Sequence, residues 1–232
     1  MQFTYYGHSC FSIVAGGKVL LFDPFITPNA LAAAIDVDTI EADYIFVSHG
    51  HYDHTTDVIR IANRTGAKVI GNWELYQWFN KSGLKNTHPI NPGGEFTFDF
   101  GTVKCLTAIH SSSLPDGSYG GVACGFAFKT PSGNFYYSGD TGLTLDMKLI
   151  SEWVELDFAV FPVGGDLTMG IEDAIKAARL VGANQVVGVH YDTFSLIEID
   201  HLKAIEAFNN AEMTLHLLVI GSVNHLDQLD EI

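Results

Sequence analysis

The feature that most constrains this chain is a short segment dense in potential metal ligands. The sequence His49-Gly50-His51-Tyr52-Asp53-His54 directly follows the apolar run 44–47, which is too short for a buried helix and is rich in strand-forming residues. Residues two apart on an extended backbone point the same way, so His49 and His51 are expected to face one metal ion. The turn that follows carries Asp53 and His54 toward a second ion. Imidazole and carboxylate suit Zn²⁺ and its first-row neighbours, so the segment predicts a metal site at a strand end.

Three further segments share this layout, since each is an apolar strand pattern that ends directly in a potential metal ligand. They are residues 104–110, ending in His110, residues 134–140, ending in Asp140, and residues 185–190, ending in His190. The ends of strands packed into one core lie together, so these side chains are expected to meet at one rim. Taken singly, each has an ordinary alternative, because His110 and His190 also fit hydrogen-bonded histidines at strand ends and Asp140 also fits a turn.

Taken together, these residues predict two neighbouring metal ions. The first ion is assigned to His49, His51 and His110, the second to Asp53, His54 and His190, and the carboxylate of Asp140 is expected to bridge the two. The expected cofactor is therefore a pair of divalent cations, Zn²⁺ in the first place, with Mn²⁺, Fe²⁺ or Ni²⁺ as alternatives.

Charge and composition limit the partners of this chain. It has 232 residues, with 12 Lys and Arg against 27 Asp and Glu, a formal net charge of −15. Such an excess repels phosphate backbones and anionic membrane surfaces, so we expect a small-molecule substrate, no nucleic acid and no membrane. With 47% hydrophobic residues and no linker, residues 1–232 are expected to form one domain, and assembly into a homo-oligomer is left open.

Cysteine usage and the first residues indicate where the protein works. Cys10, Cys105 and Cys124 are odd in number and widely scattered, which favours free thiols in a reducing compartment. The first residues lack the basic region and apolar run of a secretory leader. The expected location is the cytoplasm.

The pattern of strands and helices changes along the chain. The N-terminal third reads as strands 3–6, 11–14, 18–22 and 44–47, with a helix from Thr55 or Thr56 to about Asn63 that Gly66 ends. Paired strands follow at 95–99 with 102–109 and at 122–129 with 134–137. The C-terminal third alternates strand 157–161, helix 171–180, strand 185–189, helix 200–208 and strand 213–220. Two sheets with helices outside them accommodate both patterns, which is an α/β (α+β) fold class.

The ligand motifs, in their order along the chain, resemble those of the metallo-β-lactamase superfamily. The matching motifs are His49 to His54, His110, the Ser138-Gly139-Asp140 sequence and His190. The segments Gly7-His8-Ser9-Cys10-Phe11 and Asp23-Pro24-Phe25, the stretch 161–169 and the stretch 190–194 are similar to one compact branch of uncharacterised metal-dependent hydrolases. That branch is similar to ascorbate-6-phosphate lactonase and, more distantly, to N-acylphosphatidylethanolamine phospholipase D. The resemblance implies a four-layer αββα sandwich, with two mixed β-sheets, helices on both outer faces and a dinuclear metal site between the sheets.

The expected activity is hydrolysis by a hydroxide that bridges two metal ions. Divalent cations lower the pKa of bound water toward neutrality and polarise a carbonyl or phosphoryl oxygen. Asp53 and His190 are the candidate catalytic residues, and Asp53 is the ligand best placed to orient the water or receive its proton. The expected substrate is a small ester, lactone or phosphorylated metabolite.

Further residues are candidates for contacting substrate or orienting the ligands. They are His8, Asp23, Asp166, Thr168 and Tyr191. His8 and Asp23 also fit purely structural hydrogen bonding, and Asp before Pro is typical of turns. Asp192 is expected to point away from His190. The aromatic stretch 73–79 reads as core packing, with a ligand-binding wall as the alternative.

Three other functions remain as alternatives. The same fold hosts iron enzymes that act on thiols or dioxygen, and His and carboxylate ligands can hold iron. A nuclease is disfavoured by the negative charge and the few basic residues. A purely structural metal site in a binding protein is the third.

Overall fold

The structure, a computed structural model, describes residues 1–225 and is built around two seven-stranded sheets. The first sheet comprises β1 (Gln2–Gly7), β2 (Cys10–Ala15), β3 (Lys18–Phe22), β4 (Tyr44–Phe46), β5 (Lys68–Gly71), β6 (Thr87–Pro89) and β14 (Val223–His225), in the order β14-β1-β2-β3-β4-β5-β6. The second comprises β7 (Glu95–Phe98), β8 (Gly101–Thr107), β9 (Cys124–Thr130), β10 (Gly133–Tyr137), β11 (Phe158–Pro162), β12 (Gln185–Val189) and β13 (Thr214–His216), in the order β13-β12-β11-β10-β9-β8-β7. Both sheets are mixed. β3 to β6 pair in parallel in the first sheet and β10 to β13 in the second, while the other pairs are antiparallel.

Alternation along the strands separates the two faces of the first sheet. Phe22 on β3 and Phe46 on β4 point into the core between the sheets, whereas Leu21 and Ile45 point to the opposite face. Phe22 packs edge-on against Phe128 of β9, with ring centroids 5.6 Å apart. The sheets therefore share one aromatic-rich core, which fixes their edges relative to each other.

Helices cover the outer faces of both sheets. Among the described residues they are α1 (Tyr52–Thr55), α2 (Val58–Thr65), α3 (Trp73–Lys81), α4 (Lys148–Trp153), α5 (Ile171–Val181) and α6 (His201–Asn210). α2 and α3 bury their apolar faces against the first sheet, and α5 and α6 pack on the second. The predicted αββα sandwich is confirmed. No helix within residues 1–225 has the length and apolar character needed to cross a bilayer.

Two elements differ most from their predicted bounds. The helix predicted from Thr55 or Thr56 instead begins at Val58, as α2, and the short α1 precedes it. Asp57 separates the two helices, and its carboxylate accepts hydrogen bonds from Ile26 N and Thr27 N at 2.7 and 2.8 Å. Gly66 does end α2, in the left-handed conformation with φ 74°. The strand predicted at 213–220 is limited to β13, because the chain then turns toward the first sheet, where Gly221 N donates to Tyr5 O.

Several short elements escaped prediction. β5 and β6 extend the first sheet beyond β4, and β14 pairs antiparallel with β1 at its other end. The aromatic stretch 73–79 lies on α3, which buries Leu75 and Phe79. Trp73 is 46% exposed and lies 5.2 Å from the Tyr76 ring, so only part of the stretch is core.

Candidate metal centre

The seven predicted ligands come together at one edge of the sandwich. β4 leads into the His49 to His54 segment, β8 into His110, β10 into Asp140 and β12 into His190. Cys124 N at the start of β9 donates to Ser48 O at 3.0 Å, which joins the two sheets at this edge. Strand direction thus places ligands from both sheets against each other.

Gly139 allows this close approach. It adopts φ 61°, and a Cβ atom at this position would lie 2.6 Å from Cys124 O and 2.7 Å from Ser48 Cβ. Only glycine fits both the left-handed backbone and the contact. Asp140 is therefore held directly against the His49 segment.

One group of side chains is formed by His49, His51 and His110. Their ring nitrogens lie within 4.8 Å of one another. His49 Nε2 lies 2.9 Å from His51 Nδ1, and Ser111 Oγ lies 3.3 Å from His51 Nε2. His51 therefore presents Nδ1 to the group, while Nε2 faces the serine.

A second group is formed by His8, Asp53, His54 and His190. Asp53 Oδ2 lies 3.8 Å from His54 Nε2 and 3.9 Å from His190 Nε2. His8 was predicted only as a candidate orienting or substrate residue. Here its Nε2 lies 3.0 Å from Asp53 Oδ2.

Asp140 lies between the two groups. Its Oδ2 is 2.9 Å from His190 Nε2, 3.2 Å from His54 Nε2, 3.6 Å from His110 Nε2 and 3.9 Å from His49 Nε2. Two of these histidines belong to each group. A single carboxylate thus faces both candidate ion positions, as a bridging ligand must.

Asp23 orients two of the histidines. This carboxylate is fully buried and accepts hydrogen bonds from Ser48 N at 2.7 Å, Ser48 Oγ at 2.6 Å and Tyr137 Oη at 2.5 Å. It also accepts from His54 Nδ1 at 2.8 Å. Because that bond places a proton on Nδ1, it directs His54 Nε2 toward Asp140 as the ligating atom.

Ser48 fixes the tautomer of His49 in the same way. Its hydroxyl donates to Asp23, so its oxygen accepts from His49 Nδ1, 2.9 Å away. His49 Nε2 is thereby left without a proton and faces the first group. Carboxylate and hydroxyl partners that fix the tautomer of a histidine are typical of metal sites.

His8 holds Asp53 in place. A carboxylate only accepts, so His8 Nε2 donates to Asp53 Oδ2, and His8 Nδ1 accepts from Thr193 Oγ1, 3.0 Å away. Burial, together with the nearby His190 and His54, lowers the pKa of His8 to about 4. His8 is therefore a neutral hydrogen-bond donor to Asp53 at pH 7.

Burial also keeps the first group neutral. It lowers the pKa of His49, His51 and His110 below the ordinary histidine value. Neutral imidazoles offer lone pairs to a metal ion. These three side chains are therefore ready to ligate at neutral pH.

The carboxylates give the centre a strong attraction for positive charge. Burial alone would lower the pKa of His54, but Asp140, Asp23 and Asp53 outweigh it and raise that pKa well above the ordinary value. Burial would likewise raise the pKa of Asp53 and Asp140, but neighbouring histidines hold both below the usual range. The centre thus favours a cation between these carboxylates.

The donor set fits metal ions by a further observation. Within residues 1–225, buried polar atoms without a hydrogen-bond partner include His54 Nε2, Asp140 Oδ1 and His190 Nδ1. Buried polar atoms are normally paired, and leaving them unpaired is costly. Bound cations would satisfy His54 Nε2 and the Asp140 carboxylate.

Backbone strain concentrates at the same place. His8, Asp23 and His190 adopt φ 55°, 39° and 56°, a left-handed region that non-glycine residues seldom occupy. Such strain persists where the surrounding structure enforces it, often at functional sites. Each of the three residues directly follows a strand, β1, β3 or β12, at the end that faces the centre.

The other predicted residues have different positions. Asp166 is exposed in the loop after β11, and no hydrogen bond or ion pair within the described chain joins it to the centre. Thr168 is half-buried in that loop, which reaches the centre through the hydrogen bond from Met169 N to Thr141 O. Tyr191 is buried and stacks on Tyr5, with ring centroids 6.3 Å apart.

Asp192 does point away from His190, as predicted. Its carboxylate accepts from Ile199 N at 3.1 Å and lies 2.6 Å from His201 Nε2. Sequence reasoning missed Ser48, Tyr137 and Thr193. Ser48 precedes His49 directly, and this adjacency was the one signal that could have identified it.

Comparison with known proteins places these motifs in a family. A family model described as "Beta-lactamase superfamily domain" matches residues 19–191. A UPF0173 metal-dependent hydrolase of Methylacidiphilum infernorum is 49% identical over 220 residues, covering 95% of this chain and 97% of the relative. One from Flavobacterium johnsoniae is 48% identical, covering 95% and 98%.

A solved structure of a metallo hydrolase has the same fold as this chain. Igni18, a novel metallo hydrolase from the hyperthermophilic archaeon Ignicoccus hospitalis, superposes with a TM-score of 0.86 at 31% identity, covering 96% of this chain and 97% of its own. The resemblance predicted from the ligand motifs is confirmed. The chain belongs to the UPF0173 metal-dependent hydrolase family of the beta-lactamase superfamily.

Proposed function

We propose that this metal-dependent hydrolase binds two divalent ions, zinc in the first place, and cleaves a small ester, lactone or phosphorylated metabolite. The observation that carries the proposal is the position of Asp140 Oδ2, within 3.9 Å of two histidines from each group. Two groups of histidine and carboxylate side chains around one shared carboxylate are the arrangement expected for a two-ion site. A single structural ion would require only one of the groups.

The ligand assignment follows the two groups. His49 Nε2, His51 Nδ1 and His110 would hold the first ion. Asp53, His54 Nε2 and His190 would hold the second, with Asp140 shared. Bound divalent ions supply Lewis acidity, which lowers the pKa of water and polarises the oxygen of the bond to be cleaved.

Asp53 is the residue proposed to handle the proton. Its side chain is 22% exposed, so it is open to water, unlike the buried Asp140. His8 occupies Oδ2 through its hydrogen bond, which leaves Oδ1 to accept a proton from water. His190 Nε2 lies next to both carboxylates, 2.9 Å from Asp140 Oδ2 and 3.9 Å from Asp53 Oδ2.

The test combines metal content with activity. Metal-free protein is titrated with Zn²⁺ or Mn²⁺ and assayed against carboxylic esters, lactones, phosphomonoesters and phosphodiesters. We expect close to two equivalents of metal and hydrolysis that chelators abolish. Asp140→Asn is expected to lose both, whereas Asp173→Asn, an exposed carboxylate on α5, is expected to retain both.

Two results would contradict the proposal. One is a single equivalent of metal in the active wild-type protein. The other is an Asp140→Asn variant that binds two equivalents and retains full turnover.

A further inference from the structure

Positive side chains are absent from the loops around the centre. We define the mouth loops as residues 7–9, 23–43, 47–57, 108–123, 138–144, 163–170 and 190–200. All 12 Lys and Arg residues of the sequence lie outside these loops. Within residues 1–225, the basic side chains within 4.0 Å of the Asp53 and Asp140 carboxylates are all histidines.

This charge distribution restricts the substrate. Sites that bind a phosphate or carboxylate group away from the reacting bond use Arg or Lys, often in bidentate geometry. Metal ions at the centre would bind the reacting group of the substrate and would not hold an anionic group elsewhere on it. An anionic group elsewhere on the substrate would instead meet loops that carry carboxylates such as Asp53, which is 22% exposed, and the exposed Asp166.

An aromatic surface adjoins the catalytic edge. We define the aromatic wall as Phe25, Tyr52 and Phe194. The Phe25 ring lies 5.5 Å from the Tyr52 ring and 6.4 Å from the Phe194 ring. Both Phe25 and Phe194 lie 5.4 Å from the ring of His8, the donor to Asp53.

The wall is open to solvent. Tyr52 is 53% exposed and Phe194 is 40% exposed, while Phe25 is buried behind them. Exposed aromatic side chains grouped beside polar catalytic residues are typical of ligand-binding surfaces. The wall therefore offers apolar contact area next to the position of the reacting bond.

A small cavity adjoins the same histidine. It has a volume of about 170 Å³ and is lined by His8 together with Tyr5, Leu31, Tyr191 and Ile220, among others. Tyr191 is buried there and stacks on Tyr5, with ring centroids 6.3 Å apart. The lining also includes Asp192, which is paired with His201, and it contains no lysine or arginine.

We propose that the substrate is a neutral ester or lactone whose remaining part is apolar and packs on the aromatic wall. This inference rests on the proposed function and narrows it, because it excludes substrates with a phosphate or carboxylate group remote from the bond cleaved. The aromatic wall provides contact area for the apolar part of the substrate. Because the mouth loops carry no Lys or Arg, they do not favour substrates with an anionic group.

The kinetic test uses ester probes matched in length. The zinc-loaded protein is assayed with p-nitrophenyl acetate, p-nitrophenyl hexanoate, mono-p-nitrophenyl adipate and p-nitrophenyl phosphate. The adipate ester has the chain length of the hexanoate but ends in a carboxylate. We expect kcat/KM for the hexanoate to exceed that for the acetate and for the adipate by about tenfold or more, as small apolar contacts typically provide.

Matched variants locate the effect. Phe194→Ala is expected to remove the preference for hexanoate over acetate. Phe96→Ala is the control, because Phe96 is 43% exposed like Phe194 but packs on His88 and Phe98 at the second sheet's edge. The control is expected to keep the preference.

A binding measurement separates this inference from the hydrolase itself. Saturation-transfer NMR on the metal-free protein compares hexanamide with adipamate, which have the same chain length but end in a methyl group and a carboxylate, respectively. We expect a signal for hexanamide that weakens in Phe194→Ala and little signal for adipamate.

The outcomes are distinguishable. If none of the esters or the phosphate is hydrolysed, the proposed function fails, and the NMR comparison still decides whether the wall binds neutral apolar groups. If the adipate or phosphate ester is cleaved as well as the hexanoate, or Phe194→Ala keeps the chain-length preference, the hydrolase stands and the substrate inference is overturned.

Discussion

Asp23→Asn is the substitution that tests most deeply how the centre is built. Asp23 is fully buried and accepts four hydrogen bonds, two from Ser48 and one each from His54 and Tyr137. Asp23 itself follows β3, and these partners lie on the segment that follows β4, on α1 and on β10. One carboxylate thus connects both sheets with two of the proposed ligands.

The cost can be worked out bond by bond. An asparagine can place its oxygen where Oδ2 lies, but its NH₂ group then faces Ser48 N–H, which leaves a buried donor unpaired at about 1–3 kcal/mol. The three bonds to Oδ2 lose charge assistance, about 1 kcal/mol each. The substitution also removes the cost of burying a charge, which offsets part of this loss in the free energy of unfolding. We expect a net loss of about 2–4 kcal/mol in the free energy of unfolding.

Urea unfolding of the metal-free protein measures that loss, and zinc titration measures the second consequence. Since Asp23 fixes the tautomers of His54 and, through Ser48, His49, zinc affinity is expected to fall by about 10–100-fold. Asp99→Asn is the matched control, because Asp99 also accepts from a tyrosine, Tyr44, but its side chain is 57% exposed. The control should cost less than about 1 kcal/mol. An Asp23→Asn protein with wild-type stability and zinc affinity would refute the reasoning.

Three further predictions follow from the same geometry. His8→Ala should lower kcat by about 10–100-fold and shift the pH profile, with partial recovery in His8→Gln; an unchanged profile would contradict its role in positioning Asp53. Carboxylates raise the pKa of His54 despite its burial, so its proton competes with the metal ion above pH 6.5. Zinc affinity should therefore rise with pH, by up to about tenfold per pH unit. Calorimetry in buffers of different ionisation enthalpy should detect the release of this proton when zinc binds. Gly139→Ala should lower the free energy of unfolding by about 2–4 kcal/mol, through backbone strain and overpacking. Gly117→Ala, also at positive φ but with open space around it, should lower it by about 1–2 kcal/mol. Equal losses would contradict the packing argument.

The clustering of the seven candidate ligands was predictable because its signals are local. Each candidate ligand ends an apolar strand pattern, and the alternation seen at Leu21 and Phe22 fixes which way a strand faces. The direction of the strands then brings their ends to one edge. The αββα fold followed from the same patterns and from the motif resemblance.

The supporting contacts were not predictable because they span long distances in sequence. His8 meets Asp53 across 45 positions and Thr193 across 185, with no periodicity to link them. The break between α1 and α2 depends on Asp57 binding the backbone of Ile26 and Thr27. β14 is a strand of three residues, and its pairing with β1 joins residues 223–225 to residues 2–4.

Anomalous diffraction at the zinc edge, from crystals of the zinc-loaded protein, tests the central claim most directly. We expect two peaks about 3.5–4 Å apart, one bounded by His49, His51 and His110 and the other by Asp53, His54 and His190, with Asp140 between them. A single peak, or a pair of peaks that Asp140 does not contact, would contradict the account.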